Sequence, residues 1–282
     1  MCARRIGQRH GRRDHVSEVL FNFVGTIDLL DLDVISEFYG SDFLPYPFMY
    51  TRPSRFATES EALAYTRTVP DRFNHGDLYQ FTECVTAYAA ADVRVECHVQ
   101  YIPSDTPSVR VMAYRRRKYG YFTIQRSDAD AIDVYTVSPH DLGAAICEVV
   151  SLTEPGRHSR IVVPEYAPPL RADFDTDDVH TGDLIVRDRG VRHSVDSPAE
   201  VTISARDVTA YATVQSHWRP KRKWGLDYGK SAVIWTQVSD DGDYIYVPDF
   251  SHARPMTKLA LNERIDGLID HDLAVARKVG RE

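Results

Sequence analysis

The sequence contains one β-rich pattern twice. Residues 92–100 and 207–215 both begin with Asp-Val and end with Val-Gln at the same spacing. Each segment is followed by a Tyr-Gly pair, a Gln-x-Ser-Asp motif, a further strand pattern and an amphipathic helix pattern. Two copies of one β-rich unit are expected to pack about a pseudo-two-fold axis and to share one sheet. The repeat therefore favours a binding surface over a single buried pocket.

The repeat also sets the domain organisation. We assign about residues 18–150 to the first half, about 151–200 to a linker and about 201–276 to the second half, all within one domain of residues 18–276. The arginine pairs of residues 1–17 precede no uninterrupted apolar core, so this segment is expected to be a disordered basic leader. No apolar stretch near the start is long enough for membrane insertion.

The first ninety residues are predicted to be mainly helical. A helix is expected from about Asp28 to Tyr39, with Thr26 as its cap. The capping-box pattern Thr58–Glu61 opens a second helix that should end near Pro70. A third helix is expected from Asp77 to about Ala91, because apolar residues recur on one face.

From residue 93 the hydrophobic period changes to two, which predicts strands. The polar residues of the first strand, Arg94, Glu96, His98 and Gln100, alternate with apolar ones. Such alternation predicts a sheet with one covered face and one solvent-exposed face. Further strands are predicted at 109–115, 121–125, 131–137, 208–215, 232–238 and 244–247, and further helices at 139–150 and 255–272.

Composition indicates an acidic protein of the cytoplasm. The formal net charge is −7 and the isoelectric point about 5.9, which argues against a general nucleic-acid or anionic-membrane binder. The four cysteines show no metal-ligand spacing, so we expect Cys97 and Cys147 to be buried reduced thiols. No cofactor and no metal site are expected.

Motifs that resemble catalytic or ion-binding sites do not meet their chemical requirements. Gly225–Ser231 is one residue short of a phosphate-binding loop and leads into a strand pattern rather than a helix. Asp173–Asp178 begins like a calcium loop, but Leu184 occupies the position of the bidentate glutamate. The sequence therefore names no catalytic residue, and we expect no enzyme activity.

Two basic stretches with interleaved aromatic residues support an alternative function. Tyr114–Phe122 and His217–Trp224 combine the residue types that bind single-stranded nucleic acid. The same residues are also typical of solvated strand ends and of protein interfaces. A nucleic-acid-binding module is therefore the alternative hypothesis, and the acidic net charge argues against it.

The order of elements resembles the EspG family, the cytosolic chaperones of type VII (ESX) secretion in mycobacteria and related actinobacteria. The segments that carry the resemblance are Leu32–Tyr39 leading into Leu44-Pro45, then Tyr88–Glu96, then Val233–Tyr244. The resemblance extends over roughly residues 18–272. The family's usual Gly-Arg-Tyr near the final hairpin is replaced here by Gly-Asp-Tyr at 242–244.

The resemblance implies an α/β fold of the α+β type, with a central antiparallel sheet in pseudo-two-fold halves and N- and C-terminal helical bundles. It implies a chaperone without enzyme activity that binds the apolar helical tip of PPE proteins in PE-PPE heterodimers, or a similar secreted helical substrate. Binding would keep that partner soluble for export. Homodimer formation is left open.

Partner-binding residues are expected in a loop that follows the first strand of each copy. The segment Ile102–Ser108 resembles the family's partner-contacting loop, and Ile102 and Pro103 are the first candidates, followed by Ser104 and Asp105. The matching loop of the second copy supplies weaker candidates, which are Trp218 and Trp224.

Overall fold

A computed structural model describes residues 19–102, 105–164, 200–219, 221 and 223–279. The expected leader, residues 1–17, most of the linker and the calcium-like segment lie outside the described residues. The strands are β1 Asn22–Asp28, β2 Val93–Tyr101, β3 Val109–Arg116, β4 Tyr119–Gln125, β5 Ala131–Val137, β6 Ile161–Val162, β7 Val201–Thr202, β8 Val208–His217, β9 Val233–Val238, β10 Gly242–Tyr246 and β11 Ala253–Pro255. The α-helices are α1 Leu29–Phe38, α2 Glu59–Thr66, α3 Val69–His75, α4 Thr82–Ala89, α5 Leu142–Val149 and α6 Lys258–Val279.

These strands form one sheet in the order β1-β5-β4-β3-β2-β8-β9-β10-β11-β6-β7. Neighbouring strands are antiparallel except for the β6–β7 pair. The equivalent strands of the two copies, β2 and β8, lie side by side, and His98 pairs with Thr213. Since these two residues also occupy equivalent repeat positions, the pseudo-two-fold axis passes through their pair. The predicted fold class is confirmed.

Three apolar clusters hold the layers together. On one face of the sheet, α5 and α6 pack on both halves, and Val95, Val214 and Ile265 share this core. On the other face, α1, α3 and α4 cover the first half around Phe81. The second half is covered on that face by the chain around β6, β7 and Phe250.

The expectation of a solvent-exposed sheet face is wrong for most of β2. Arg94 and Glu96 are 3% and 2% exposed, while His98 is half-buried and Gln100 is exposed. The reason is that α4 and residues 43–50 cover this face, and polar groups from distant parts of the chain pair with the charges.

Local signals explain where the helices begin and end. The capping box of α2 is confirmed, because Glu61 N donates to Thr58 Oγ1 and Ala57 N to Glu61 Oε2. The cap of α1 is Asp28 rather than Thr26, since its carboxylate accepts from Leu30 N. Pro70 does not end a helix but lies in the first turn of α3, where proline is well tolerated.

The ends of the later elements also differ from the predicted bounds. Helix α5 begins at Leu142 rather than Pro139, because residues 138–141 form a turn. The last helix, α6, starts at Lys258 and continues to Val279. Within the linker, Ile161 and Val163 are buried and β6 joins the sheet, so this part is structured.

The cysteines are buried and reduced among the described residues. Cys84, Cys97 and Cys147 are free, as expected for Cys97 and Cys147, and burial raises the pKa of each thiol. Within the described ranges, no three His, Cys, Asp or Glu side chains are arranged to hold a metal ion. No helix of those ranges has the length and apolar character needed to cross a membrane.

Candidate functional site

The loop that follows β2, residues 102–108, continues from the pairing of β2 with β8. Ile102 N donates a hydrogen bond of 2.7 Å to Thr209 O, one residue beyond the end of β2. Ile102 is half-buried and Asp105 is exposed. Pro103 and Ser104 lie outside the described residues. The base of this loop is therefore fixed by the neighbouring copy.

Five partly buried apolar side chains, from the strands that flank this loop and from the region of α5, form a set that we call the apolar rim. Helix α5 starts beside the Arg115 end of β3, since Arg115 Nη1 donates to Pro139 O at 3.4 Å. The C-terminal end of α5 therefore points towards the start of β3, where the loop ends. The apolar rim consists of Tyr101, Val109, Ile124, Val149 and Leu152, all packed against the core beneath α5 and α6.

Trp218 lies at the opposite end of the β2–β8 pair. It directly follows His217, which pairs with Arg94 at the start of β2. At ~3.3 Å per residue, this places Trp218 about 30 Å from Ile102. The structure therefore does not bring the two predicted loops together, because a two-fold axis between antiparallel strands sends equivalent loops to opposite sheet ends.

We call residues 218–232, which connect β8 to β9, the second loop. Both of its tryptophans make contacts within the chain. The guanidinium carbon of Arg219 lies 4.0 Å from the centre of the Trp218 ring. Trp224 Nε1 donates to Phe48 O at 3.2 Å, and its ring meets Tyr46 edge-on at 5.1 Å. Trp224 nevertheless remains 47% exposed.

The second loop is fastened by a glutamine that has an equivalent in the first copy. Gln215 is 1% exposed, and its amide bonds Asp227 N and Asp227 O at 2.8 Å and Lys230 O at 3.3 Å. Gln100, at the same repeat position, is exposed. The second loop thus uses a buried glutamine that the first copy leaves at the surface.

A buried ion pair also ties the second loop to β2. Lys221 Nζ lies 2.8 Å from Glu96 Oε2 and bonds Gly225 O, and His217 Nε2 lies 3.5 Å from the same carboxylate. The ammonium also lies 4.5 Å from the centre of the Tyr46 ring. Sequence reasoning missed this network, because the charge alternation of β2 gave no signal of a partner 125 residues away.

His98 marks the pseudo-two-fold axis. Burial, followed by the nearby Arg110 charge, lowers the pKa of His98 to about 4. The Tyr46 ring approaches the imidazole edge-on at 6.5 Å. The imidazole is therefore neutral at neutral pH.

A family comparison settles what kind of protein carries these features. The model of the EspG family matches residues 28–266 of the 282-residue chain. The chain belongs to the EspG family. This is a family of secretion-associated chaperones of the ESX system, so the chain has a general chaperone role. No curated protein matches the chain.

The nucleic-acid alternative loses most of its stacking surface in this EspG-family fold. Tyr114 and Phe122 belong to the buried cores, and Lys221 is paired with Glu96. Tyr119 remains exposed in the first basic stretch. Because bases stack on accessible aromatic faces, the burial of Tyr114 and Phe122 reduces the surface that this function could use to Tyr119 and the two tryptophans.

Proposed function

We propose that the protein is a cytoplasmic chaperone of type VII secretion that binds the apolar helical tip of a PPE protein within a PE-PPE heterodimer. It keeps this partner soluble until export. We further propose that residues 18–276 act as one domain and that the chaperone has no enzyme activity. Family membership and the absence of any motif for catalysis support this function.

The apolar rim is the observation that carries the proposal. A helical tip that is insoluble by itself needs a surface that replaces water around its apolar side chains. The rim offers aromatic and branched side chains from three strands, from α5 and from Leu152 after it, and all five keep part of their surface exposed. Ile102, Pro103, Ser104 and Asp105 would contact the partner first.

The proposed contacts of the second loop are weaker. Trp218 and Trp224 have exposed ring surface, but each already packs against groups of its own chain. A partner that reaches them would have to extend along the sheet or occupy a separate surface. We therefore assign the main energy of binding to the first loop and the apolar rim.

Co-expression tests this function directly. The protein is produced with each PE-PPE pair of the same genome, one partner carries an affinity tag, and the purified fractions are examined for a complex. We expect one or more pairs to be recovered in soluble form only with the chaperone. Failure to recover a complex with every pair would contradict the proposed function.

A further inference from the structure

A cavity of about 90 Å³ lies between the N-terminal helices and the first half of the sheet. Its walls are mainly apolar, and its mouth lies at the C-terminal end of α1 beside Tyr39, Gly40 and Ser41. Apolar side chains that line it come from α1, α4 and the sheet, including Leu32, Val85, Met112, Ile132 and Val134. This bundle cavity reaches the second loop, because Glu96 and Lys221 also line it.

One wall of the bundle cavity carries a buried guanidinium with no carboxylate partner. Arg94 is 3% exposed, and its Nη2 donates to Tyr88 O and Ala89 O at the C-terminal end of α4. Its Nη1 is buried and has no hydrogen-bond partner among the described residues. No acidic side chain of those residues forms an ion pair with it. Burial of an incompletely paired guanidinium is unfavourable in free energy, so a bound anion would stabilise this arrangement.

Among the described residues, the charges that line the bundle cavity add up to one positive charge. Arg94, Lys221 and Glu96 are the charged side chains of its wall. Glu96 is already paired with Lys221 at 2.8 Å, so it attracts Arg94 only through space and forms no ion pair with it. Tyr88 shields one side of the guanidinium, since the Arg94 Cζ atom lies 5.0 Å from the centre of its ring.

We propose that the bundle cavity binds a small monocarboxylic acid, with its carboxylate paired to Arg94 and its alkyl tail among the apolar side chains. A carboxylate accepts hydrogen bonds from a guanidinium in well-defined geometry, which a chloride ion or a water molecule does not reproduce. The small volume of the cavity limits the acid to a short alkyl tail. The site is independent of PE-PPE binding.

Calorimetry with hexanoate as the probe tests the site, with hexanamide as the neutral analogue of the same size. We expect hexanoate to bind one site per chain and hexanamide to bind at least about tenfold more weakly, because only the carboxylate pairs with Arg94. No heat of binding for hexanoate at millimolar concentrations, or equal binding of both compounds, would overturn the proposal.

Variants locate the binding in the cavity. Arg94→Gln keeps a donor for the α4 carbonyls but removes the charge, and Ala89→Leu places a larger side chain at the cavity wall. Both should lose hexanoate binding, while Ala90→Leu, on the exposed neighbouring residue, should retain it. If Arg94→Gln is unstable, Ala89→Leu alone decides: undiminished binding in that folded variant would overturn the site.

Discussion

The loops after β2 and after β8 connect equivalent strands but have different chemistry. Tyr101 belongs to the apolar rim, whereas the equivalent Ser216 is buried within the sheet. Gln100 is exposed, whereas the equivalent Gln215 fastens its loop through three hydrogen bonds. One end of the pseudo-symmetric sheet thus offers accessible apolar surface, and the other uses its polar groups to hold the chain in place.

Under the proposed function, this difference would let a repeated unit bind a single partner. Two identical ends would present two equivalent surfaces, related by the axis at His98 and Thr213. The second loop covers the sheet end at which it lies, through the contacts of Gln215 and Lys221, and we call this the closed end. The apolar rim is then left as the accessible surface at the other end.

Removal of the Lys221 cation at the closed end should have the largest effect on the free energy of unfolding. Lys221→Met leaves Glu96 buried without its closest partner, and loss of one member of a buried pair costs about 3–5 kcal/mol. The double variant Glu96→Gln with Lys221→Met should recover much of that loss. Urea unfolding measures both, and a loss below about 1 kcal/mol for the single variant would contradict the assigned pair.

The axis residue should make the stability depend on pH. The pKa of His98 in the folded protein is about 4, below the value of about 6.5 in an unfolded chain, so the unfolded state binds more protons between these values. The free energy of unfolding should therefore fall as the pH decreases from 6.5 towards 4, by about 2 kcal/mol at pH 5.

A matched pair of variants isolates this contribution. His98→Asn should remove that part of the pH dependence, whereas His140→Asn, at an exposed residue outside the sheet, should leave it intact. Urea unfolding at several pH values gives the comparison. An unchanged slope in His98→Asn would show that the imidazole is not buried as described.

Gln215 and Gln100 allow the two ends to be compared at the same repeat position. Gln215→Ala removes the amide that bonds Asp227 and Lys230, and the expected loss is about 1–2 kcal/mol. Gln100→Ala should change the free energy of unfolding by less than about 0.5 kcal/mol, because that side chain is exposed. Hydrogen exchange of the amides of residues 225–231 should accelerate only in Gln215→Ala. Equal effects of both variants would contradict the claim that Gln215 holds its loop and Gln100 does not.

The sequence predicted local structure better than it predicted burial. The bounds of β5, Ala131–Val137, and the capping box at Thr58 were correct, because both depend on residues close together in the chain. The burial of Arg94 and Glu96 was missed, since their partners come from α4 and from the second copy. In the sequence, a charged residue of an alternating strand gives the same pattern whether solvent or a distant loop covers it.

The candidate site was also predicted only in part. The family resemblance suggested the first loop and the repeat suggested the second, but neither showed that a two-fold axis between β2 and β8 separates them. The apolar rim was not found, because its residues come from β2, β3, β4 and α5 and each one by itself has the pattern of an ordinary core residue. They share one core only because α5 packs on the sheet.

The most direct measurement compares charge insertion at the two loops in a chaperone that has been recovered with a PE-PPE pair. Ile102→Asp should weaken the affinity for that pair about thirtyfold or more, because it places a charge at the edge of the apolar rim. Trp218→Asp, at the closed end, should weaken it by less than about threefold, provided that both variants keep the wild-type unfolding midpoint. Equal losses, or a larger loss for Trp218→Asp, would contradict the claim that the partner binds at the β2–β3 end.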